Sequence, residues 1–307
     1  MSGKRSTRVG SLQEASGSAS KRVKRTPPAT ELLREFSLAN VLTKAKSAAV
    51  THAHLPEAVA TKLFDQDATI SYLTTDHASW VFHVPRWYQH VFKHAKPEEL
   101  HAAFAAEDAS KAAATASQPS ATWSTLFEQA WEAHPEQFNS IMMFGKPTKL
   151  QRFQLLCGDA ASYRYSGSTF IAQRTYPSAL NHVARHMQRL VEDPATDRTR
   201  FSGGLVNWYA DGNHYIGAHA DDERDLMKGS PIAGLSLGAT RRFVLTRKTP
   251  KSAPAGDEAA VKRLELQLGD GDLIVMGGTT QQTHKHALPK MARCHDRRLS
   301  ITMRCFK

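Results

Sequence analysis

His219 and Asp221 form a His-x-Asp pair between two strand-like segments of the stretch GLVNWYADGNHYIGAHADDERDLMKGSPIAGLSLGATRRFVLTR, residues 204 to 247. In an extended chain, side chains two apart point to the same side, so this imidazole and carboxylate can converge on one metal ion. The pair carries little weight alone, because His-x-Asp is common by chance. A third ligand is available in THKHALP, 283 to 289, which offers His284 and His286. Two His and one carboxylate on one face of an iron leave positions open for oxygen and a chelating cosubstrate, the facial-triad chemistry of non-haem Fe(II) sites.

The segment RRLSITMRCF, 297 to 306, supplies an anchor for such a cosubstrate. Read with period two, it puts Leu299, Ile301 and Met303 on one face and Arg298, Ser300, Thr302 and Arg304 on the other. Two arginines on the inward face of a strand are costly to bury unless an anion meets them. A dicarboxylate such as 2-oxoglutarate carries two carboxylates, and the guanidinium fork matches that geometry.

These residues need a scaffold of short strands. After a helix predicted over SALNHVARHMQRLVED, which begins at Ser178, the pattern turns to GLVNWYA, IAGLSLG, RFVLTRK, LELQL, LIVM and RLSITMR. Alternation with Gly-rich turns predicts two packed antiparallel sheets. The helix has one apolar stripe of Leu180, Val183, Ala184, Met187, Leu190 and Val191. It also carries His182 and His186 at i, i+4, a metal-like spacing that lacks the Glu of the zinc-protease motif and is read as structural.

Upstream, a second helix is expected over WSTLFEQAWEAH, 123 to 134, leading into the strand NSIMMFG. The aromatic segment WVFHVPRWYQHVF, 80 to 92, is expected to pack on the core, and Leu55 to Phe64 to form a helix. EDASKAAATASQPSA, 107 to 121, reads as an inserted loop or a weak helix. Residues 1 to 28, rich in Ser, Gly, Lys and Arg, are expected to be disordered. The domain reading is thus a basic tail over 1–28, an N-terminal helical extension over 29–137 and the chemical domain over 138–307.

The 307 residues carry 40 Lys and Arg against 29 Asp and Glu, a formal charge of +11 that favours a polyanionic partner such as nucleic acid. The cluster KRVKR, 21 to 25, reads as a nuclear-import signal or as a solvated basic run. No apolar run is long enough to span a membrane, so none is expected as a partner. Three cysteines in no CxxC pattern argue against a disulfide framework or zinc finger.

The strand NWY followed by DG, then HADDERDLMKGSPIAGLSLGATRRFV, THKHALP and RRLSITMR, in that order, resembles the AlkB dioxygenases, in particular their animal DNA-repair branch acting on duplexes. The resemblance covers 138–307. It implies an α+β fold, a double-stranded β-helix or jelly roll with flanking N-terminal helices. It implies Fe(II) held by His219, Asp221 and His286, with His284 a neighbour or bystander. Asn207, Tyr209, Arg298, Thr302 and Arg304 would bind 2-oxoglutarate, with O2 the second cosubstrate. Ser300 stands where several members have Asn, and a hydroxyl offers fewer bonds than an amide.

For the substrate side, the resemblance makes Phe144, before Gly145 and Lys146, an aromatic wedge that fills the gap left by a flipped base. The plain alternative is a core Phe ahead of a Gly turn. Tyr163 and Tyr165 lie in the stretch that stacks on the damaged base, Asp222 and Glu223 could accept from an exocyclic amine, and Arg152 and Arg242 could position the strand. The implied function is oxidative demethylation of bases such as 1-methyladenine and 3-methylcytosine in alkylated DNA, double-stranded by preference, by a nuclear monomer. Methylated RNA, a thymine methyl or a protein side chain are the alternative substrates. A nucleic-acid binding module that has lost its chemistry is the non-enzymatic alternative, disfavoured by the complete ligand set.

Overall fold

The computed structural model describes residues 68–95, 122–143, 145–159, 162–165, 168–189, 201–249 and 260–307. In chain order the first strands are β1 (Thr69–Tyr72), β2 (Ser79–Val84), β3 (Ser140–Met143), β4 (Lys146–Lys149), β5 (Phe153–Gly158), β6 (Ser162–Tyr165) and β7 (Ser168–Ile171). There follow β8 (Gly203–Tyr209), β9 (Ile216–His219), β10 (Ile232–Gly238), β11 (Arg241–Arg247), β12 (Arg263–Leu268), β13 (Leu273–Gly278), β14 (His284–Leu288) and β15 (Arg298–Arg304). The helices are α1 (Trp87–His94), α2 (Trp123–Glu132), α3 (Ser178–Arg189) and the single turn α4 (Thr280–Thr283).

Two antiparallel sheets form the jelly roll. The larger has the order β1-β2-β13-β10-β15-β8-β5, the smaller β12-β11-β14-β9. The large sheet is buried on both faces. Leu299, Ile301 and Met303 of β15 pack with Val206 and Trp208 of β8 in the main core. There they meet Leu126 and Trp131 of α2 and Leu180, Val183 and Met187 of α3. The opposite face meets the small sheet through a second cluster of Leu73, Val81, Ile232, Leu245, Leu268, Ile274 and Met276.

The local causes are visible in the sequence. Thr122 caps α2, its hydroxyl accepting from the Thr125 backbone while the Thr125 side chain receives the Thr122 N–H, which satisfies two free helix-end donors reciprocally. Trp208 donates its indole N–H to the Ala130 carbonyl at 2.8 Å, fastening α2 to the centre of the sheet. The apolar stripe expected on α3 is buried over Leu180, Val183, Ala184 and Met187. His182 and His186 are also buried: His182 meets the Tyr88 hydroxyl at 2.5 Å, and its carbonyl accepts from His186 at 2.9 Å.

One part of the expected helical extension differs. Residues 69–84 form β1 and β2, which continue the large sheet beyond β13. In β2, Trp80, Phe82 and Val84 face the helix-side core while Val81 faces the inter-sheet cluster, so the run lacks the alternation that marks a half-exposed strand. Pro85 then separates β2 from α1, and the aromatic segment is strand followed by helix. The expected helix over Leu55 to Phe64, the loop or weak helix over 107 to 121 and the cluster at 21 to 25 lie outside the described residues. Cys157, Cys294 and Cys305 are free thiols. Among the described residues no helix is long and apolar enough to cross a membrane.

Candidate active site

The site lies between the sheets, on the face of β15 opposite the main core. Register sets Ser236, Ser300, Asn207 and Gln154 in one row across β10, β15, β8 and β5. All four are buried. Beyond that row Arg298 stands opposite Tyr209, and at the other end of β15 Arg304 stands opposite Gly203. The arginines thus sit on one face of a strand six residues apart, roughly 20 Å of extended chain.

At the Arg304 end three ligand-type side chains meet. β9 pairs with β14 so that His219 lies directly opposite His286, with ring centroids 4.2 Å apart. Asp221 follows just past β9, its Oδ1 3.6 Å from His219 Nε2. The ligand atoms of His219, Asp221 and His286 all lie within 4.8 Å of one another, the sole such group among the described residues. His219 Nδ1 lies 2.9 Å from the Gly217 carbonyl, a contact that assigns its proton there and leaves Nε2 with a lone pair toward Asp221.

Electrostatics put each group in its ligating form. Burial pushes His286 down to about 3, and the neighbouring His219 adds to this. His219 is lowered, chiefly by burial. For Asp221 burial works the other way, but the Arg304 guanidinium and the two imidazoles outweigh it and hold the carboxyl well below its usual range. Arg304 donates from Nε and Nη2 to Asp221 Oδ2 at 3.0 and 2.7 Å, and the Asp221 N–H donates to Gln281 Oε1 at 3.0 Å. Arg304, expected on the cosubstrate, has its guanidinium on a ligand carboxylate.

The Arg298 end asks for an anion. Arg298 is buried; its Nη2 donates to Ser236 Oγ at 2.7 Å, while Nε and Nη1 have no hydrogen-bond partner. Burial pushes it down to about 10 despite the nearby Tyr209. Asn207 Oδ1 accepts from Arg152 Nε at 2.7 Å and from Gln154 Nε2 at 3.2 Å, which turns its amide nitrogen away from them as a donor. Thr302 and Tyr209 also line the cavity.

His284 lies apart from the ligand group. It is buried, with Nε2 2.9 Å from the Val261 carbonyl and Nδ1 2.9 Å from the Thr283 hydroxyl.

The expected substrate residues scatter more. Arg152, read as a strand-positioning cation, is 3% exposed and holds Asn207 inside the pocket, so it cannot reach an outer phosphate. Arg242 is half-buried, with Nη2 donating to the Lys290 carbonyl at 3.3 Å. Asp222 is exposed and pairs with Lys248 at 2.8 Å; Glu223 is half-buried. Met143 pairs with Lys146 across the β3–β4 hairpin, where Gly145 has φ +76° and Lys146 is exposed. Phe144 lies outside the described residues. Tyr163 and Tyr165 stand opposite Phe170 and Ser168 in the β6–β7 hairpin, and their side chains lie outside the described set. The two hairpins touch where the Met142 N–H donates to Ser168 Oγ at 3.2 Å.

Sequence reasoning missed Gln154, Ser236, Arg241 and Gln281. A signal existed for one of them: Arg241 shares strand parity with Phe243 and Leu245, which pack between the sheets.

Residues 87–304 match the 2OG-Fe(II) oxygenase superfamily. The chain is 34% identical over 165 residues to DNA oxidative demethylase ALKBH2 of Homo sapiens, a match covering 53% of this chain and 60% of that one. The Mus musculus protein of the same name is 35% identical over 178 residues, covering 58% of this chain and 71% of its own. Alpha-ketoglutarate-dependent dioxygenase alkB homolog 3 of Rattus norvegicus is 38% identical over 104 residues, covering 34% of this chain and 35% of its own. The match to the human ALKBH2 thus spans less than two thirds of that relative's length.

Proposed function

The chain belongs to the 2OG-Fe(II) oxygenase superfamily and within it to the AlkB family, and we propose that it repairs DNA by oxidative removal of N-alkyl groups from bases such as 1-methyladenine and 3-methylcytosine. The observation that carries this reading is one cavity with two unlike ends. His219, Asp221 and His286 converge at one, and Arg298 with two unpartnered N–H groups stands at the other.

The residues fit the groups this reading needs. Two neutral imidazoles and an ionised carboxylate suit Fe(II), and His219, Asp221 and His286 would hold it. A dicarboxylate supplies the anion that the buried Arg298 lacks, and 2-oxoglutarate would place its far carboxylate there with Tyr209 and Asn207 as donors. When bound, iron and cosubstrate together supply O2 activation: one oxygen atom goes to succinate as CO2 leaves, and the other to the N-methyl carbon, which departs as formaldehyde.

The chain's own contribution is placement and exclusion of water. Arg304 and Gln281 fix Asp221 from its side chain and its backbone, so the carboxylate needs no reorganisation to bind a cation. The Gly217 carbonyl fixes the His219 tautomer. Apolar walls from Ile216, Leu205, Phe243 and Leu288 keep the space beside the ligands dry.

A methyl on N1 of adenine or N3 of cytosine blocks pairing, so such a base is cheap to extrude into the cavity. In this reading Phe144 fills the gap left in a duplex, the enzyme acts on double strands, and the 21 to 25 cluster carries it to the nucleus. The test is incubation with oligonucleotides bearing one defined methyl lesion, single- and double-stranded DNA and RNA, with the products weighed. Loss of the mass of one CH2 from duplex DNA is expected, with Phe144→Ala slowing the duplex reaction about tenfold and sparing the single strand. Demethylation of RNA in preference to DNA would move the assignment to the RNA reading. No demethylation of any oligonucleotide would sink it. For the address, replacing the 21 to 25 cluster with alanines should disperse a fluorescent fusion from nuclei, and unchanged nuclear signal would refute that element.

A further inference from the structure

Arg241 is fully buried, with 0% exposure, and no carboxylate among the described residues lies within ion-pair distance of it. Its fork is taken up by backbone: Nη1 donates to the Asp211 carbonyl at 3.0 Å, and Nη2 donates to His214 and Pro289 carbonyls at 2.8 and 3.0 Å. Nε has no partner. Carbonyls satisfy N–H groups but do not cancel a charge; the Asp211 carboxylate acts on this cation only from beyond ion-pair distance, so its charge is compensated in part and burial still lowers its pKa.

What lies next to it is Tyr209. The Arg241 guanidinium carbon stands 5.8 Å from the centre of that ring, and the Arg298 guanidinium carbon 5.1 Å from the same centre. One phenol therefore carries two buried cations, of which only Arg298 lines the cavity. The loops that Arg241 pins are also in close contact, since a methyl on Gly212 would lie 1.8 Å from the Met291 carbonyl oxygen.

We propose that Arg241 is a positioning residue for the cosubstrate pocket, a second positive charge behind Tyr209 that makes the Arg298 end select a carboxylate over an uncharged group. The assignment rests on the reading of Arg298 as the anchor of the far carboxylate. Arg241 acts at a distance: its charge raises the potential at the anion position.

The experiment uses the full chain loaded with Fe(II) under argon and titrated calorimetrically with 2-oxoglutarate and with 2-oxobutyrate, which has the same keto-acid head and no far carboxylate. The ratio of the two affinities reads the Arg298 end alone, and thermal melting is recorded for every variant. Arg241→Gln is expected to cut the preference for 2-oxoglutarate by at least about tenfold while 2-oxobutyrate binding stays within about threefold. Arg241→Lys keeps the charge but loses the fork, so it should melt lower yet keep the preference within about threefold. Equal weakening of both acids by Arg241→Gln, or an Arg241→Lys variant as unselective as Arg241→Gln, would mean that Arg241 only braces loops. Should Arg241→Gln fail to fold, Arg241→Met takes its place as the neutral variant, with a lost preference for 2-oxoglutarate supporting the charge role and a retained one overturning it. A wild-type chain that does not prefer 2-oxoglutarate would sink the Arg298 anchor itself. That outcome is distinct from a wild-type preference that Arg241→Gln leaves intact.

Discussion

At Asp221 burial and charge pull in opposite directions, and charge wins because Arg304 meets one carboxylate oxygen with two N–H groups. The same contest decides which histidine of THKHALP is a ligand. His286 faces His219 across β14 and β9, whereas His284, of the same strand parity, is already bonded to Val261 and Thr283. His286→Ala is expected to abolish Fe(II) binding, measured by equilibrium dialysis. His284→Ala should retain it while losing about 1–3 kcal/mol of stability from the orphaned Val261 carbonyl, measured by denaturant unfolding. The reverse result would exchange their roles. The ligands and Arg298 were legible in the sequence because spacing along one strand or loop carries them. Gln154 and Ser236 were not, and Arg152 was read for a different role, because they reach the site only through pairing of β5 and β10 with distant strands, and no local pattern encodes a partner strand.

Among the elements, the turns that Arg241 holds leave little room for change. Gly212 packs so tightly on the 291–294 loop that Gly212→Ala must displace the Met291 or Cys294 backbone. A drop of several degrees in Tm, with weaker 2-oxoglutarate binding, is expected by calorimetry; unchanged values would show the loop to be soft. Elsewhere Asp272 joins β13 to the start of α1. It accepts from His83 Nε2 at 3.0 Å and from the backbone N–H groups of Arg86 and Gly269, both at 2.8 Å. Burial works against its charge, yet the His83 contact and these donors win and lower its pKa. Its stabilisation is therefore complete above the unfolded value of about 3.9 and disappears as pH falls through the lower folded value. Asp272→Asn should flatten the acid limb of the stability curve below about pH 4, and an unaltered limb would place acid sensitivity elsewhere. Alternation announced β8, β10, β11 and β15. It could not announce β1, whose alternation of Thr69 and Ser71 with Ile70 and Tyr72 spans only four residues, or β2, where Val81 turns to the second core and interrupts the alternation.

For the whole molecule, the formal charge of +11 sets the terms of any meeting with nucleic acid. Binding to a methylated duplex should weaken on the order of a hundredfold between about 50 and 200 mM salt, because neutralised phosphates release counterions. Fluorescence anisotropy across that range checks this, and a flat response would mean that phosphate contacts contribute little. The sandwich was legible as a class from strand count and turn spacing, whereas the strand order of the large sheet was not. That order bears on time as well as shape. β8 and β10 never pair with each other; β15, the last of the three to be synthesised, lies between them. Until it arrives the large sheet is two separate pieces, and the row from Ser236 to Gln154 is cut in half. A closure between strands so far apart in the chain is slow, since loop entropy is lost before contacts repay it. Arg304 enters with the same strand, so a half-folded chain lacks the partner that holds Asp221 in place. Preparation of the ligand set for iron is thereby tied to the pairing of β15.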